Sequence, residues 1–305
     1  MSDSFLMIAE QVLVLFVLIA VGFACGKKGL INEISSKKMT DLVLYIVTPC
    51  VMISAFQREF SVELVGKIAI AAASAALIIG GSIIAALLIF HDKSEARNKV
   101  LQFSVIFSNC GFMSLPLQKA ILGNDGWFYG SIFVAVFNVF VWTYGLVMMS
   151  GDKKQLSLKK LITNPGIIGV TVALVLFVCR ISLPSVISQP VSYLANLNTP
   201  IPMLIIGFYL SRADLKAAFR DGWVYLAMAV RLIIIPLAAA LIMTALKLDK
   251  TMTVAFIIAS SAPTAATTTM FAAKFNRDAG LSVSIVAAST IVSILTMPLV
   301  VALFN

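Results

Sequence analysis

Along this chain, apolar residues run in blocks of about twenty, separated by short polar interruptions. A bilayer core about 30 Å thick is crossed by about 20 helical residues. The blocks predict ten membrane spans, centred near residues 15, 47, 79, 110, 137, 172, 201, 234, 262 and 291. The first begins after Met1-Ser2-Asp3-Ser4, without a basic leader or a small-residue cleavage site, and reads as a retained span. The longest polar link, Gly151–Thr163, divides the chain into residues 1–150 and 164–305.

Two spans are broken in the middle. Ser108-Asn109-Cys110-Gly111-Phe112-Met113-Ser114-Leu115-Pro116 interrupts the fourth, and Ser260-Ser261-Ala262-Pro263-Thr264-Ala265-Ala266-Thr267 interrupts the ninth. Proline donates no backbone hydrogen bond and clashes with the preceding turn, so a helix opens there. Ordinary proline kinks are common in membrane helices. A matched pair in two halves is the sequence pointer to a secondary transporter's binding site.

A shift of about 151 residues aligns the halves without gaps. Thr48-Pro49 meets Thr199-Pro200, Met52 meets Met203, Lys99 meets Lys250, Ile106 meets Ile257 and Ser131 meets Ser282, while Pro116 falls on Thr267, four residues past Pro263. Five spans per half is odd, so the second half enters the membrane inverted. The expected architecture is all-α, a 5+5 inverted repeat with spans four and nine broken and crossed. Its domains are 1–150, a cytoplasmic link at 151–163, and 164–305.

Hydrophobic residues make up 60% of the chain and charged residues 12%, against about 25% charge in a soluble domain. The net charge of +9 is a matter of topology rather than of nucleic-acid binding. Sixteen Lys and Arg residues fall in loops after odd-numbered spans, six on the opposite side, and Arg231 inside a span. The positive-inside rule then puts both termini outside a cell membrane. Cys25, Cys50, Cys110 and Cys179 are scattered singly, and His91 is in a charged loop, so no metal, redox or cofactor spacing is present.

An opened helix exposes N–H groups and a positive dipole end at the start of its second half, which suits an anion. Pro116 and Pro263 fit the first position of such half-helices, where no N–H is needed. Asn109, Ser114, Thr264 and Thr267 add side-chain donors, with interhelical packing as the alternative for each hydroxyl. Asn138, mid-span in Phe137-Asn138-Val139-Phe140, either faces the crossing or bonds a neighbouring helix. Arg231, roughly 14 Å deep by helix rise, either attracts the substrate or holds unpaired carbonyls of a broken helix. No Asp or Glu falls in spans three, four, five, eight, nine or ten, which disfavours direct proton or cation chemistry.

Asn109-Cys110-Gly111-Phe112-Met113-Ser114-Leu115-Pro116-Leu117, Thr163-Asn164-Pro165-Gly166, Thr199-Pro200 with Ile206-Gly207, Arg231 with Pro236, and Ala262-Pro263-Thr264-Ala265 together resemble the auxin efflux carrier family. Its bacterial members include malonate and malate permeases. The short Gly151–Thr163 link resembles the compact bacterial type rather than the plant type with its long loop. The resemblance implies a fold shared with bile-acid sodium symporters. Spans one, two, six and seven would form a scaffold around a mobile, elevator-like core of the remaining spans. It further implies a homodimer, as in plant carriers, and a substrate carboxylate held by crossover prolines and asparagines. Asn109 and Pro116 match that pattern; Ser260-Ser261 stands where a second asparagine is expected, which departs from auxin-like specificity.

The reading is a carrier of a small organic anion such as a mono- or dicarboxylate, with substrate contacts at Asn109, Ser114, Pro116, Asn138, Pro263, Thr264 and Thr267, and with Arg231 structural or a counter-ion. The alternatives are a sodium-coupled organic-anion symporter and, from another class, a channel or receptor. An enzyme would need a catalytic constellation that these spans do not supply.

Overall fold

The structure, a computed structural model, describes residues 2–155, 162–213, 215 and 219–304. Lys159, Lys160, Lys216 and part of the 151–163 link lie outside the described residues. Within them every regular element is helical, apart from one isolated antiparallel bridge between Ser108 and Thr264.

The helices are α1 (Ser2–Lys27), α2 (Glu33–Ala55), α3 (Val62–Ile89), α4 (Glu95–Ile106), α5 (Cys110–Ser150), α6 (Pro165–Val178), α7 (Ser185–Arg212), α8 (Gly222–Ala245), α9 (Lys250–Ser261), α10 (Thr267–Lys274) and α11 (Ala279–Ala302). Seven of them, α1, α2, α3, α5, α7, α8 and α11, are long and apolar enough to cross a membrane. Glu63 and Glu95 lie in the first turns of α3 and α4, so the helical runs reach further into the charged loops than the apolar blocks do.

α5 has 41 residues, about 60 Å at 1.5 Å rise, twice a bilayer core. It turns back on itself at Gly123, whose φ of 63° lies where only glycine is unstrained. Gly111 consequently packs against Val134, and Gly130 against Leu115 and Gln118.

α4 and α9 have 12 residues each, about 18 Å, too short to span alone. Val100–Ile106 of α4 and Met252–Ser261 of α9 are all buried. Broken backbone is tolerated at membrane depth only where protein encloses it. The enclosure is aromatic: Phe103 lies 4.5 Å from Phe107 and 5.5 Å from Phe271, and Phe133 lies 5.1 Å from Phe256, between ring centres.

α4 and α9 begin at Glu95 and Lys250, 155 positions apart. The shift of 151 that aligns Thr48-Pro49 with Thr199-Pro200 is therefore off by four in the broken spans. Four residues are about one helical turn, which keeps an apolar face in phase and hides the slip.

The prolines also act differently from the expectation. The first break is at Phe107–Asn109, and Pro116 lies a turn and a half inside α5. Pro263 sits in the extended linker rather than at the start of α10. Three π-turns, Val43–Val47, Cys110–Ser114 and Val230–Ile234, each end two residues before a proline: Pro49, Pro116 and Pro236. Widening the turn relieves the clash of the ring with the carbonyl four residues back, so these prolines bulge a helix instead of ending it.

α1 crosses α7 at backbone contact. A Cβ on Gly22 would strike the Leu204 carbonyl, and one on Gly207 the Ile19 carbonyl. α2 and α6 meet in the same way, Gly169 against Pro49.

Candidate functional site: the helix crossing and its chamber

The two breaks pair with each other. The Asn109 amide donates to the Pro263 carbonyl at 2.7 Å, and the Ala265 amide to the Phe107 carbonyl at 2.9 Å. Thr264 locks the joint: its Oγ1 donates to Ser104 O at 3.0 Å and its amide to Ser289 Oγ at 3.2 Å. Each linker thus satisfies backbone groups that the other helix ends leave open.

Arg231 closes the carbonyl side. It is 2% exposed, and it donates from Nη1 to Val105 O at 2.8 Å and Ile106 O at 3.3 Å, and from Nη2 to Ser260 O. One guanidinium therefore caps the C-terminal ends of both α4 and α9. Burying a cation costs several kcal/mol; hydrogen bonds to a charged group return about 1.5–3 kcal/mol each. No carboxylate pairs with Arg231 among the described residues, so its positive charge remains at the crossing.

The amide side stays open. Among the described residues, the N–H groups of Cys110, Gly111 and Phe112 at the start of α5, and of Ala266 and Thr267 at the start of α10, have no backbone acceptor. These two positive helix ends border a chamber of about 50 Å³. Ser108, Asn109, Gly111, Phe112, Ala265, Ala266 and Thr267 of the two breaks line it, with Thr48, Asn138 and Asn198 and the apolar Val51, Met52, Val134, Phe137, Val141 and Trp142. No Lys, Arg, His, Asp or Glu lines it.

A vestibule of about 1260 Å³ opens beside the chamber and shares Leu44, Phe112, Ala266, Thr267 and Met270 with it. Its lining carries Lys37, Arg97, Arg212 and Lys274, all from the polar stretches that follow odd-numbered apolar blocks. Glu33, Asp41, Asp221 and Asp278 balance them. Arg97 ties that end together, 2.6 Å from Asp221 and 3.4 Å from Asp92. Arg58, Lys119 and Asp125 of the opposite face line neither cavity.

Of the residues expected from sequence, Asn109, Asn138 and Thr267 line the chamber. Asn109 is 5% exposed, and its carboxamide has no partner among the described residues. Asn138 Nδ2 donates to Val134 O at 2.9 Å, within its own helix, and lies beside Gly166. Ser114, Pro116, Pro263, Thr264 and Arg231 line neither cavity. The Asn164-Pro165-Gly166 motif starts α6: Asn164 Oδ1 accepts from Ile167 N at 3.1 Å, and Pro165 takes the first turn.

Asn198 is the wall residue that the sequence did not single out. It sits between the two helical stretches of α7, Ser185–Asn196 and Pro200–Arg212. Its Nδ2 donates to Gly111 O at 2.9 Å. In a π-turn the Gly111 carbonyl would accept from residue 116, but Pro116 has no N–H. Asn198 fills the vacancy that Pro116 creates. A proline five residues past Gly111, paired with an amide beside Thr199-Pro200, was the available signal.

Long apolar helices around a buried, paired backbone break define a multi-pass membrane protein with a polar site in its interior. A family model described as membrane transport protein matches residues 7–158 and again residues 154–301. The chain belongs to this family of membrane transporters, the auxin efflux carrier family. It is also similar to an uncharacterized transporter of Methanocaldococcus jannaschii, 25% identical over 303 residues, covering 95% of this chain and 96% of that protein.

Proposed function

We propose that this transporter is an elevator-type secondary carrier of a small organic anion in the cell membrane, with ten spans in a 5+5 inverted repeat. The observation that carries the substrate class is the pair of open helix N-termini, at Cys110–Phe112 and Ala266–Thr267, bordering one chamber. They offer unpaired N–H donors and dipole charge to a carboxylate, and Arg231 adds an unpaired positive charge behind them.

The chamber favours one carboxylate over two. Its anion-suited groups are the open amides of the two helix starts, no cationic side chain lines it, and beside Thr48, Asn138 and Asn198 most of the remaining lining is apolar. A second carboxylate would be desolvated there without a partner. A monocarboxylate with a small apolar body fits this division.

Several features support the layout. α5 folds back at Gly123, giving two arms from one run. The close crossings of α1 with α7 and of α2 with α6 exchange under an inversion of the halves. The family model matches twice, in segments close to 1–150 and 164–305. In this reading α1, α2, α6 and α7 are the scaffold and the helices that carry the crossing are the core. The vestibule faces the cytoplasm, on the side of the basic loops.

Uptake of radiolabelled monocarboxylates and dicarboxylates into proteoliposomes, with and without sodium, tests the proposal. Saturable uptake with counterflow, stronger for monocarboxylates, is expected. Linear, non-saturating flux without counterflow would favour a channel, and strict sodium dependence would move the assignment to a symporter.

A further inference from the structure

The chamber shares lining residues with the vestibule, and three polar links run from Gly111 of its wall toward the Gly123 reversal. Gly111, Leu115 and Lys119 lie at i, i+4 and i+8 on the first arm of α5, one face of a helix. At the chamber, Gly111 O accepts from Asn198 Nδ2 at 2.9 Å. Two turns further out, Lys119 Nζ lies 3.3 Å from Asn196 Oδ1. At the surface, past the Gly123 reversal, Asp125 pairs with Arg58 at 2.6 Å. Leu115, between the first two links, is itself a chamber wall. Every link joins α5 or its turn to α7 or to the segment following α2.

We propose that Asn198–Gly111, Lys119–Asn196 and Arg58–Asp125 form the gate that seals the chamber on the face opposite the vestibule, and that they must separate for the chamber to open there. The proposal rests on the carrier reading, in which α5 moves against α2 and α7.

The strengths of the links grade with depth. Arg58 and Asp125 are 22% and 64% exposed, so their pair is screened and breaks readily, changing an open–closed equilibrium about two- to fivefold. Asn198–Gly111 is part-buried, with Asn198 itself buried. Parting it strands the Gly111 carbonyl, because Pro116 supplies no substitute donor. Gly111 lines the chamber, so water reaches its carbonyl once the face opposite the vestibule opens. The same proline that shapes the anion end therefore makes the innermost link dependent on Asn198, a side chain of the opposing wall.

The test uses full-length protein in proteoliposomes, with its four native cysteines replaced by serine and Met52→Cys, in the chamber wall, as reporter. An impermeant thiol reagent is added from the Arg58 face. Slow labelling is expected in the otherwise unaltered protein. Arg58→Ala should raise the rate about two- to fivefold, and Arg58→Ala/Lys119→Ala/Asn198→Leu by about tenfold or more. If the triple variant fails to fold, Asp125→Asn, which breaks the same pair from its 64%-exposed side and leaves Arg58 over the Phe128 ring, still decides the matter. As a converse, oxidising a Lys119→Cys/Asn196→Cys pair should suppress labelling from that face and leave labelling from the vestibule face intact. Unchanged rates in folded gate variants would overturn the gate alone. Rapid labelling from both faces in the unaltered protein would overturn the carrier reading as well.

Discussion

The backbone amide of Asn109 reaches the carbonyl of Pro263 at 2.7 Å, joining the two broken helices residue to residue. This pairing leaves the Asn109 carboxamide free at the chamber wall. Asn109→Ala should therefore keep the fold, because the joint is made by the main chain, and weaken anion binding. A hydrogen bond to a charged group is worth about 1.5–3 kcal/mol, so the dissociation constant should rise about tenfold or more. Isothermal titration with the best-transported acid measures it; an unchanged constant in folded protein would remove Asn109 from the site.

Ser114 and Thr267 each carry a buried hydroxyl with no partner among the described residues. They differ in position: Thr267 lines both cavities, and Ser114 lines neither. Thr267→Val should raise the dissociation constant about two- to tenfold, as expected for loss of a neutral donor. Ser114→Ala should leave affinity unchanged and melting temperature equal or higher, since an unsatisfied buried hydroxyl is a cost removed. The opposite ranking in the same binding assay would reassign the two residues.

Much of this architecture was legible from hydrophobic blocks, because a membrane helix must be apolar along its whole length. The two breaks were legible because small polar residues and proline stand out there. Arg231 was legible as an intramembrane charge. What escaped was anything that depends on how helices face one another. Thr264 and Thr267 look alike in sequence, yet the crossing turns one into the joint and the other into the chamber. Ser260 and Ser261 stand where the family resemblance sets an asparagine, and their hydroxyls bond back to Ile257 O within α9. Asn198 falls in the seventh apolar block with nothing to mark it, and its role exists only because Pro116 leaves a carbonyl on another helix without a donor.

The charge asymmetry predicts the orientation. In a cysteine-free background, Ser2→Cys should react with an impermeant maleimide in intact cells, and Gln155→Cys only after permeabilisation. The reverse pattern would put the vestibule on the outer face and invert the direction in which it opens.

The close crossing of α1 and α7 leaves no room for a side chain at Gly207, whose Cβ would fall on the Ile19 carbonyl. The clash is with backbone on both sides, so neither helix can yield by changing a rotamer. Gly207→Val should separate the helices and lower the melting temperature, at an overpacking cost of about 1–3 kcal/mol. Gly222→Ala, with open space around its Cβ, is the matched control and should melt unchanged. Equal melting of both variants would mean that the crossing adapts.

Arg231 offers the sharpest separation of roles. Its guanidinium bonds the carbonyls of Val105, Ile106 and Ser260, on two different helices, and lines neither the chamber nor the vestibule. A planar fork can serve acceptors on both helices at once; an ammonium on a flexible stem keeps the charge but not that geometry. Arg231→Lys should then strand at least one buried carbonyl, at about 1–3 kcal/mol. At about 2–4 °C per kcal/mol for a chain of a few hundred residues, the melting temperature should fall by about 2–12 °C with no substrate present. Anion affinity of the folded fraction should change far less, because the charge persists and the open amides at Cys110–Phe112 and Ala266–Thr267 are untouched. A thermal melt of the substrate-free protein beside a binding titration separates the two effects. An unchanged melt with a greater than tenfold loss of affinity would make Arg231 a substrate counter-ion and the helix ends insufficient on their own.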